Sequence, residues 1–455
     1  MDRLMVSVSG VRGTVGGTLT PEVACRFGCA FGTMLGAGCR VVIGRDTRPS
    51  GPMLRNAVAA GLLAAGVDVV DIGVVSTPGV ALMTRELKAD GGVVITASHN
   101  PIQYNGMKFL QPIGTGLTAG TAEQLAAIWS DRAYRLVDAE HQGVESSDDS
   151  THQRHVDAVC RNADVDAIAG RRFKVALDSV NGAGCAVTPM LMQRLGVELV
   201  HLNAEPTGLF AHPPEPVADN LAQLGADIVA HKAHVGFAQD ADADRLAIID
   251  ETGRYIGEEY TLALAAAFVL SKRKGPVATN LVTSRMIDDV AATAGCEVIR
   301  TPTGEANVVE AMLQNGCILG GEGGGGVIDP QVVPVRNSLV GIACVLQYMA
   351  ETNKTVSQLV AEIPHYEMIK AKMPCPAGAA EKVAAAMRDA FAGRAGAAFN
   401  DADGLRVDLP EGWVCARASN TEPIMRIIAE AARADDAEAL VAQVRKIAEP
   451  IVAEA

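Results

Sequence analysis

One unit is written three times along this chain: an apolar strand, a short polar loop, a helix stopped by glycine, and a second strand. The first copy starts at Arg40-Val41-Val42-Ile43-Gly44 and passes through Arg45-Asp46-Thr47-Arg48-Pro49-Ser50-Gly51. It continues as a helix over Met53 to Ala65, closed by Gly66, and returns as Val67-Asp68-Val69-Val70. The second copy runs from Phe173-Lys174-Val175-Ala176-Leu177 through Asp178-Ser179-Val180-Asn181-Gly182, a helix ending at Leu195-Gly196, and Val197-Glu198-Leu199-Val200. The third begins at Gly275-Pro276-Val277-Ala278, passes Val282-Thr283-Ser284, and returns after Ala294-Gly295 as Cys296-Glu297-Val298-Ile299. Parallel strands need a crossover between them, so each copy reads as a βαβ unit and the chain is expected to contain three similar α/β domains. At 455 residues it has room for about three or four domains. Its 46 glycines suit many tight strand-to-helix turns.

Each copy then adds a short apolar strand that runs into an unusual loop. Gly92-Val93-Val94-Ile95 leads to Thr96-Ala97-Ser98-His99-Asn100-Pro101, and Val235-Gly236-Phe237-Ala238 leads to Gln239-Asp240-Ala241-Asp242-Ala243-Asp244-Arg245. Cys317-Ile318-Leu319 leads to Gly320-Gly321-Glu322-Gly323-Gly324-Gly325-Gly326. Loops beyond the carboxyl ends of strands are where α/β folds place ligands, so equivalent loops from three copies could converge on one cleft. Composition marks the boundaries. Glu145-Ser146-Ser147-Asp148-Asp149-Ser150 reads as a polar linker, and Met373-Pro374-Cys375-Pro376-Ala377-Gly378 opens a distinct C-terminal piece. That piece has a strand at Leu405-Arg406-Val407 and a final amphipathic helix with Leu440, Val444 and Ile447 on one face. The boundary between the second and third units falls near Glu251 to Gly257. We therefore place the domains at 1–148, 149–254, 255–368 and 369–455.

A net charge of −14 argues against nucleic-acid or membrane-surface partners, which would need a basic face. Any anionic substrate must be held by local arginines. Ten cysteines without a CxxC pair suit a reducing cytoplasm. The opening Met1-Asp2-Arg3-Leu4 has no apolar signal region, and the run Leu262 to Leu270 is too short to span a bilayer. A cytoplasmic location is expected.

The loops carry the chemistry. A serine at a strand end, in a loop too short to wander, is placed to be a nucleophile, although Ser and Asn before Pro are also ordinary turn residues. Asp240, Asp242 and Asp244 alternate, so in an extended segment their carboxylates point one way. Three like charges side by side repel unless a cation sits between them, and hard oxygen ligands suit Mg²⁺. An EF-hand would also place Glu251 as its last ligand, but Arg245 occupies its required glycine position and Leu246-Ala247-Ile248-Ile249 reads as a strand. In the C-terminal piece, Arg417-Ala418-Ser419-Asn420-Thr421 offers a guanidinium, two hydroxyls, an amide and backbone N–H groups for phosphate oxygens, and Arg426 on the next strand can add a second guanidinium. Arg12, flanked in Gly10-Val11-Arg12-Gly13, can approach an anion closely, and the glycine-rich run has Glu322 as its single charged member. Lys108, in Tyr104-Asn105-Gly106-Met107-Lys108, follows the serine loop within reach of it, as an acid/base or as a phosphate contact.

Taken together, and in this order, these loops resemble the α-D-phosphohexomutase superfamily over almost the whole chain. Thr96 to Pro101 looks like its phosphoserine loop, Asp240 to Arg245 like its metal loop, and Arg417 to Pro423 like its phosphate-binding loop. Gly321 to Gly326 sits where its sugar-recognition loop belongs. The resemblance implies three similar α/β/α domains with mixed sheets and a smaller C-terminal α+β domain around a central cleft. It also implies a reaction: Ser98 carries a phosphoryl group, and one Mg²⁺ bridges it to Asp240, Asp242 and Asp244. A hexose 6-phosphate and its 1-phosphate then interconvert through a hexose 1,6-bisphosphate, which also serves as activator. By the same resemblance Arg12, Lys108 and His99 lie beside the transferring group. Arg245, Glu322, Gly324, Arg417, Ser419, Asn420, Thr421 and Arg426 bind the substrate. Many members have Ser and His where this chain has Gly324 and Gly326. The resemblance leans to glucosamine phosphate, with phosphomannomutase/phosphoglucomutase activity or a non-catalytic sugar-phosphate binder as alternatives, in a monomer or homodimer.

Overall fold

The computed structural model describes residues 3–376, 378–419 and 423–453. Its first sheet holds β1 (Met5–Ser7), β2 (Gly10–Thr14), β3 (Arg40–Arg45), β4 (Asp68–Val74), β5 (Gly91–Ile95), β6 (Tyr104–Leu110) and β7 (Glu145–Ser147), in the order β1-β2-β6-β5-β3-β4-β7. The second contains β8 (Lys174–Asp178), β9 (Glu198–Leu202), β10 (Val235–Gln239) and β11 (Leu246–Ile249), ordered β11-β10-β8-β9. The third contains β12 (Val277–Asn280), β13 (Val298–Thr301), β14 (Leu319–Glu322) and β15 (Gly326–Ile328), ordered β13-β12-β14-β15. The threefold repeat in the sequence is thus a threefold repeat of topology. In each sheet the three strands of the repeat run parallel and a fourth, β6, β11 or β15, folds back antiparallel on β5, β10 or β14; the first sheet adds β7 at one edge and β2 and β1 at the other. The three chemistry-bearing loops are the same turn in three copies.

Apolar strands such as β5 and β10 are buried on both faces, as parallel sheets covered by helices must be. The helices Thr77–Glu86, Thr151–Cys160, Glu259–Lys272 and Ser338–Thr352 share one continuous apolar core with strands of the three sheets. In the first domain, Pro21–Leu35 and Gly51–Ala64 cross very closely at Gly28 and Gly61. A methyl at Gly28 would stand 2.3 Å from the Val58 carbonyl oxygen, and one at Gly61 2.2 Å from that of Cys25. The run Leu262 to Leu270 lies inside the buried helix Glu259–Lys272, and no described helix is long and apolar enough to cross a membrane.

The fourth sheet is antiparallel, with β16 (Glu367–Pro374), β17 (Ala398–Asn400), β18 (Leu405–Leu409), β19 (Gly412–Ala418) and β20 (Ile424–Ala431) in the order β16-β20-β19-β18-β17. Leu440 and Val444 of the helix Ala434–Ala453 are buried against one face, with Ile447 packed beside them. Trp413, Cys415 and Ile428 form a separate cluster that Val282 of the third unit packs against.

Two expectations need correction. Glu145 to Ser150 is not simply a linker: its first half is β7, which pairs in parallel with β4 at the sheet edge. An edge strand needs only backbone pairing, so polar side chains could not reveal it. The glycine-rich run is also less of a loop than it reads. Gly320, Gly321 and Glu322 belong to β14 and Gly326 to β15, leaving a three-residue turn between them.

Candidate active site

Ser98 sits one turn beyond β5 with φ at +50° and is 3% exposed. A non-glycine residue in that left-handed region needs the surroundings to hold it. The holding is visible. Fully buried Arg48 donates through Nη2 to the carbonyl oxygens of Ser98 and Asn100, both at 2.6 Å, and through Nη1 to those of Pro101 and Tyr104, at 2.8 and 2.9 Å. Its Nε donates to Asp46 at 3.0 Å, and Thr96 links Asp46 to the Ser98 backbone N–H. A buried Asp–Arg pair thereby gathers the whole serine loop. Its members were in plain view in the loop after β3, but nothing local in the sequence says what they would hold.

The aspartate loop does not follow the extended geometry assumed for it. It turns, with Ala243 at φ +54°, and the turn instead of an alternating strand brings the carboxylates together. One oxygen from each of Asp240, Asp242 and Asp244 lies within 4.8 Å of the others, and all three residues are fully buried. Ser98 Oγ donates to Asp240 Oδ2 at 2.8 Å. Asp240 Oδ1 accepts from the backbone N–H groups of Asp244 and Arg245. Asp242 Oδ2 accepts from Thr77 Oγ1 at 2.5 Å and Lys108 Nζ at 2.8 Å, while Asp244 Oδ2 accepts from Arg336 Nη2 at 2.8 Å. Glu251 plays no part, and bonds to Ser357 instead.

Two oxygens are left over. Asp242 Oδ1 and Asp244 Oδ1 are buried with no hydrogen-bond partner. Buried carboxylate oxygens are costly to leave unsatisfied, and an all-oxygen set suits a hard divalent cation. Asp240, Asp242 and Asp244, with Ser98 beside them, therefore fit a metal ion. Burial and the two neighbouring carboxylates push the Asp240 carboxyl well above its usual range. For Asp242 burial acts upward too, but Lys108 and hydrogen bonds outweigh it and hold the group low. A cation would relieve that frustration.

A cavity of about 260 Å³ opens over this cluster, lined among others by Arg12, Ser98, His99, Lys108, Arg245 and Glu322. Arg12 Nη1 donates to Asn100 Oδ1 at 2.5 Å. Burial, reinforced by Arg245 and Arg12, holds the His99 imidazole down at about 3, so it is neutral, with Nδ1 3.4 Å from Ser98 Oγ. Burial acts against the Lys108 ammonium, but Asp242 and Asp244 outweigh it and raise its pKa. Glu322 accepts from Asn280 Nδ2 at 2.9 Å and from Arg336 Nη1 at 3.0 Å. Arg336 and Glu305 also line the cavity, and sequence reading missed both. Nothing adjacent to either in the sequence marks it.

The C-terminal residues stand apart from this cavity. Arg417 Nε donates to Asp403 at 2.8 Å, and Asp403 also accepts from Thr303, tying the fourth sheet to the third. Arg417 and Arg426 are cross-strand partners on β19 and β20. The Ser419 N–H donates to the Ile424 carbonyl, and Gly324 faces Arg245 and Glu258. Asn420 and Thr421 lie outside the described residues.

Comparison with known proteins bears directly on this arrangement. Profiles of the phosphoglucomutase/phosphomannomutase α/β/α domains I, II and III match residues 3–135, 153–253 and 257–366, and that of the C-terminal domain matches 368–447. The chain belongs to the phosphoglucomutase/phosphomannomutase family. By that membership it is a phosphohexomutase, as the serine, aspartate and glutamate loops suggested. A phosphoglucomutase/phosphomannomutase of Thermococcus kodakarensis is 39% identical over 428 residues, 93% of each chain. A probable phosphoglucosamine mutase of the same organism is 36% identical over 98% of each chain. Among solved structures, a phosphoglucomutase/phosphomannomutase family protein from Burkholderia thailandensis superposes with a TM-score of 0.86 at 29% identity, covering 98% of this chain and 99% of its own. Within the family frame, Arg48 and Asp46 shape the serine loop, and Asn280 does the corresponding work for Glu322 from the end of β12.

Proposed function

We propose that this family member interconverts hexose 6-phosphate and hexose 1-phosphate, with Ser98 as the phosphoryl carrier and Mg²⁺ as the cofactor. The observation that carries the reading is the Ser98 hydroxyl, 2.8 Å from Asp240 in a buried carboxylate triad with two orphaned oxygens. Mg²⁺ held by Asp240, Asp242, Asp244 and Ser98 would neutralise phosphoserine charge and polarise its phosphoryl oxygens.

The residues divide the work. The bond from phosphorus to Ser98 Oγ breaks as a bond forms to the free hydroxyl oxygen of the sugar, and the hydroxyl proton leaves. Ser98 Oγ ends protonated, 2.8 Å from Asp240. Arg12, Lys108 and Arg245 line the cavity and balance charge on the transferring group. His99, neutral at 3.4 Å, is the candidate to take up the proton, and Lys108, held as an ammonium by Asp242 and Asp244, is the candidate to return one. The bisphosphate then turns, and its other phosphoryl group returns to Ser98. Glu322 recognises the sugar, Gly324 keeps the loop beside it free of bulk, and Arg417, Ser419, Asn420, Thr421 and Arg426 hold the phosphate that is not reacting. The relatives named as phosphoglucosamine mutases favour glucosamine phosphate as the sugar, and the phosphoglucomutase/phosphomannomutase relative makes mannose and glucose phosphates the alternatives.

A coupled mutase assay tests this, with Mg²⁺, a trace of hexose 1,6-bisphosphate and glucosamine, mannose and glucose phosphates in parallel. Turnover of one sugar, lost in Ser98→Ala, is expected. No turnover on any, with Ser98 never phosphorylated by mass spectrometry, overturns the mutase reading.

A further inference from the structure

Arg336 belongs to no strand or helix, yet it pairs with three carboxylates around the cavity. It follows β15 in the chain and reaches back across the site. Nη2 donates to Asp244 at 2.8 Å and Nη1 to Glu322 at 3.0 Å, while Nε stands 3.4 Å from Glu305. The Arg336 backbone N–H donates to the other Glu305 oxygen at 2.7 Å. One guanidinium therefore spans the aspartate triad and the glycine-rich turn, two loops from different domains.

The glycines explain how it fits. A methyl group built on Gly326 would lie 2.2 Å from Arg336 Cδ and 2.8 Å from its Cγ, with Cβ at 3.5 Å as the third nearest atom. Backbone conformation is no reason for glycine there, since Gly326 is not among the positive-φ residues. Gly326 is small because the Arg336 stem runs over it. Glycine at 326 and arginine at 336 form one device, in which the side chain for this wall comes from 336.

We propose that Arg336 is a specificity-determining residue that binds the sugar. This rests on the phosphohexomutase reading. Asp244 Oδ2 accepts from both Arg336 Nη2 and, at 3.3 Å, Lys108 Nζ, while Oδ1 has no partner, so a cation held at Oδ1 would compete with these positive side chains for the charge of one carboxylate. A cation on the aspartates would weaken the Asp244 bond to Nη2 and leave that donor for the cavity, while Nη1 keeps Glu322 aimed. The freed N–H donors then take an acceptor oxygen of the hexose phosphate, pairing a donor (Arg336) with an acceptor (Glu322) on adjacent ring hydroxyls.

Calorimetric titration of glucosamine, glucose and mannose 6-phosphates into a Ser98→Ala background separates binding from turnover. Adding Arg336→Ala should weaken binding on the order of tenfold or more, the size of one lost charge-assisted hydrogen bond. Arg336→Lys, which keeps the charge but loses the fork, should recover only part. In the same proteins Mn²⁺, used as a probe ion, should bind Arg336→Ala at least as tightly as its parent, because a competing cation has gone. A merely structural arginine would lose Mn²⁺ affinity and thermal stability together with sugar affinity. Gly326→Ala should also weaken sugar binding, and should add nothing once Arg336 is alanine. Unchanged sugar affinity in Arg336→Ala, parallel loss of Mn²⁺ binding, or a harmless Gly326→Ala each overturns the proposal. If Arg336-dependent sugar binding persists while the unmodified enzyme turns over no hexose phosphate, the mutase reading fails and this one stands.

Discussion

Arg48 shows how much one side chain can decide. It donates to four backbone carbonyls of the serine loop and pairs with Asp46, both residues fully buried. Arg48→Ala would leave Asp46 buried without its partner and the carbonyls without donors, a loss of about 3–5 kcal/mol. Chemical denaturation should show that loss, and mass spectrometry should show Ser98 phosphorylation falling with it. Asp46→Asn, which keeps the shape and removes the charge, should lose less. At the aspartate triad, Mn²⁺ or Mg²⁺ should raise the unfolding temperature of the wild type, because a ligand that binds only the folded state stabilises it. Asp242→Asn/Asp244→Asn should abolish that rise, as followed by differential scanning calorimetry. Ser98 and the triad could be read from the sequence because each motif is contiguous and its chemistry is unusual. Arg336, Glu305 and the role of Arg48 could not, since their partners lie on other elements and become neighbours only on folding.

At the scale of elements, helix spacing in the first domain depends on two glycines facing each other's backbone. Gly28→Val would push a side chain into the Val58 carbonyl, 2.3 Å from where its Cβ must stand. Forced separation of the helices Pro21–Leu35 and Gly51–Ala64 should cost about 1–3 kcal/mol. A lowered unfolding temperature with unchanged turnover per folded molecule is expected, as neither helix carries a residue of the proposed site. The strands and helices of the three repeats were legible because apolar runs and terminating glycines mark them locally. β7 was not, because an exposed edge strand needs no apolar pattern, and the aspartate turn was not, because a left-handed alanine leaves no trace in composition.

For the molecule as a whole, His155 joins three domains. Its Nε2 accepts from Asn337 Nδ2 at 2.9 Å, the residue that caps the helix Ser338–Thr352, and its Nδ1 faces Ser76 Oγ at 3.5 Å. Burial holds its pKa down at about 4, against an ordinary 6.5, and its neutral form is the one that Asn337 can bond. Between those values the unfolded chain binds a proton that the folded one does not. Stability should therefore fall on acidification from pH 6.5 to 4, by up to about 1.4 kcal/mol per pH unit from this group, and be flat with respect to it above 6.5. His155→Gln should flatten that slope in urea denaturation followed from pH 4 to 7.5, at some cost in stability at neutral pH. The sequence by itself determined the repeat, the α/β class, the chemistry in each loop and the family resemblance, because strand periodicity, helix stops and loop composition are local properties. Tertiary structure decided which loops meet, which oxygens of the aspartates are left unpaired, and which arginine spans the gap between domains. Those are distances between residues far apart in the chain, and only the packing of the whole molecule sets them.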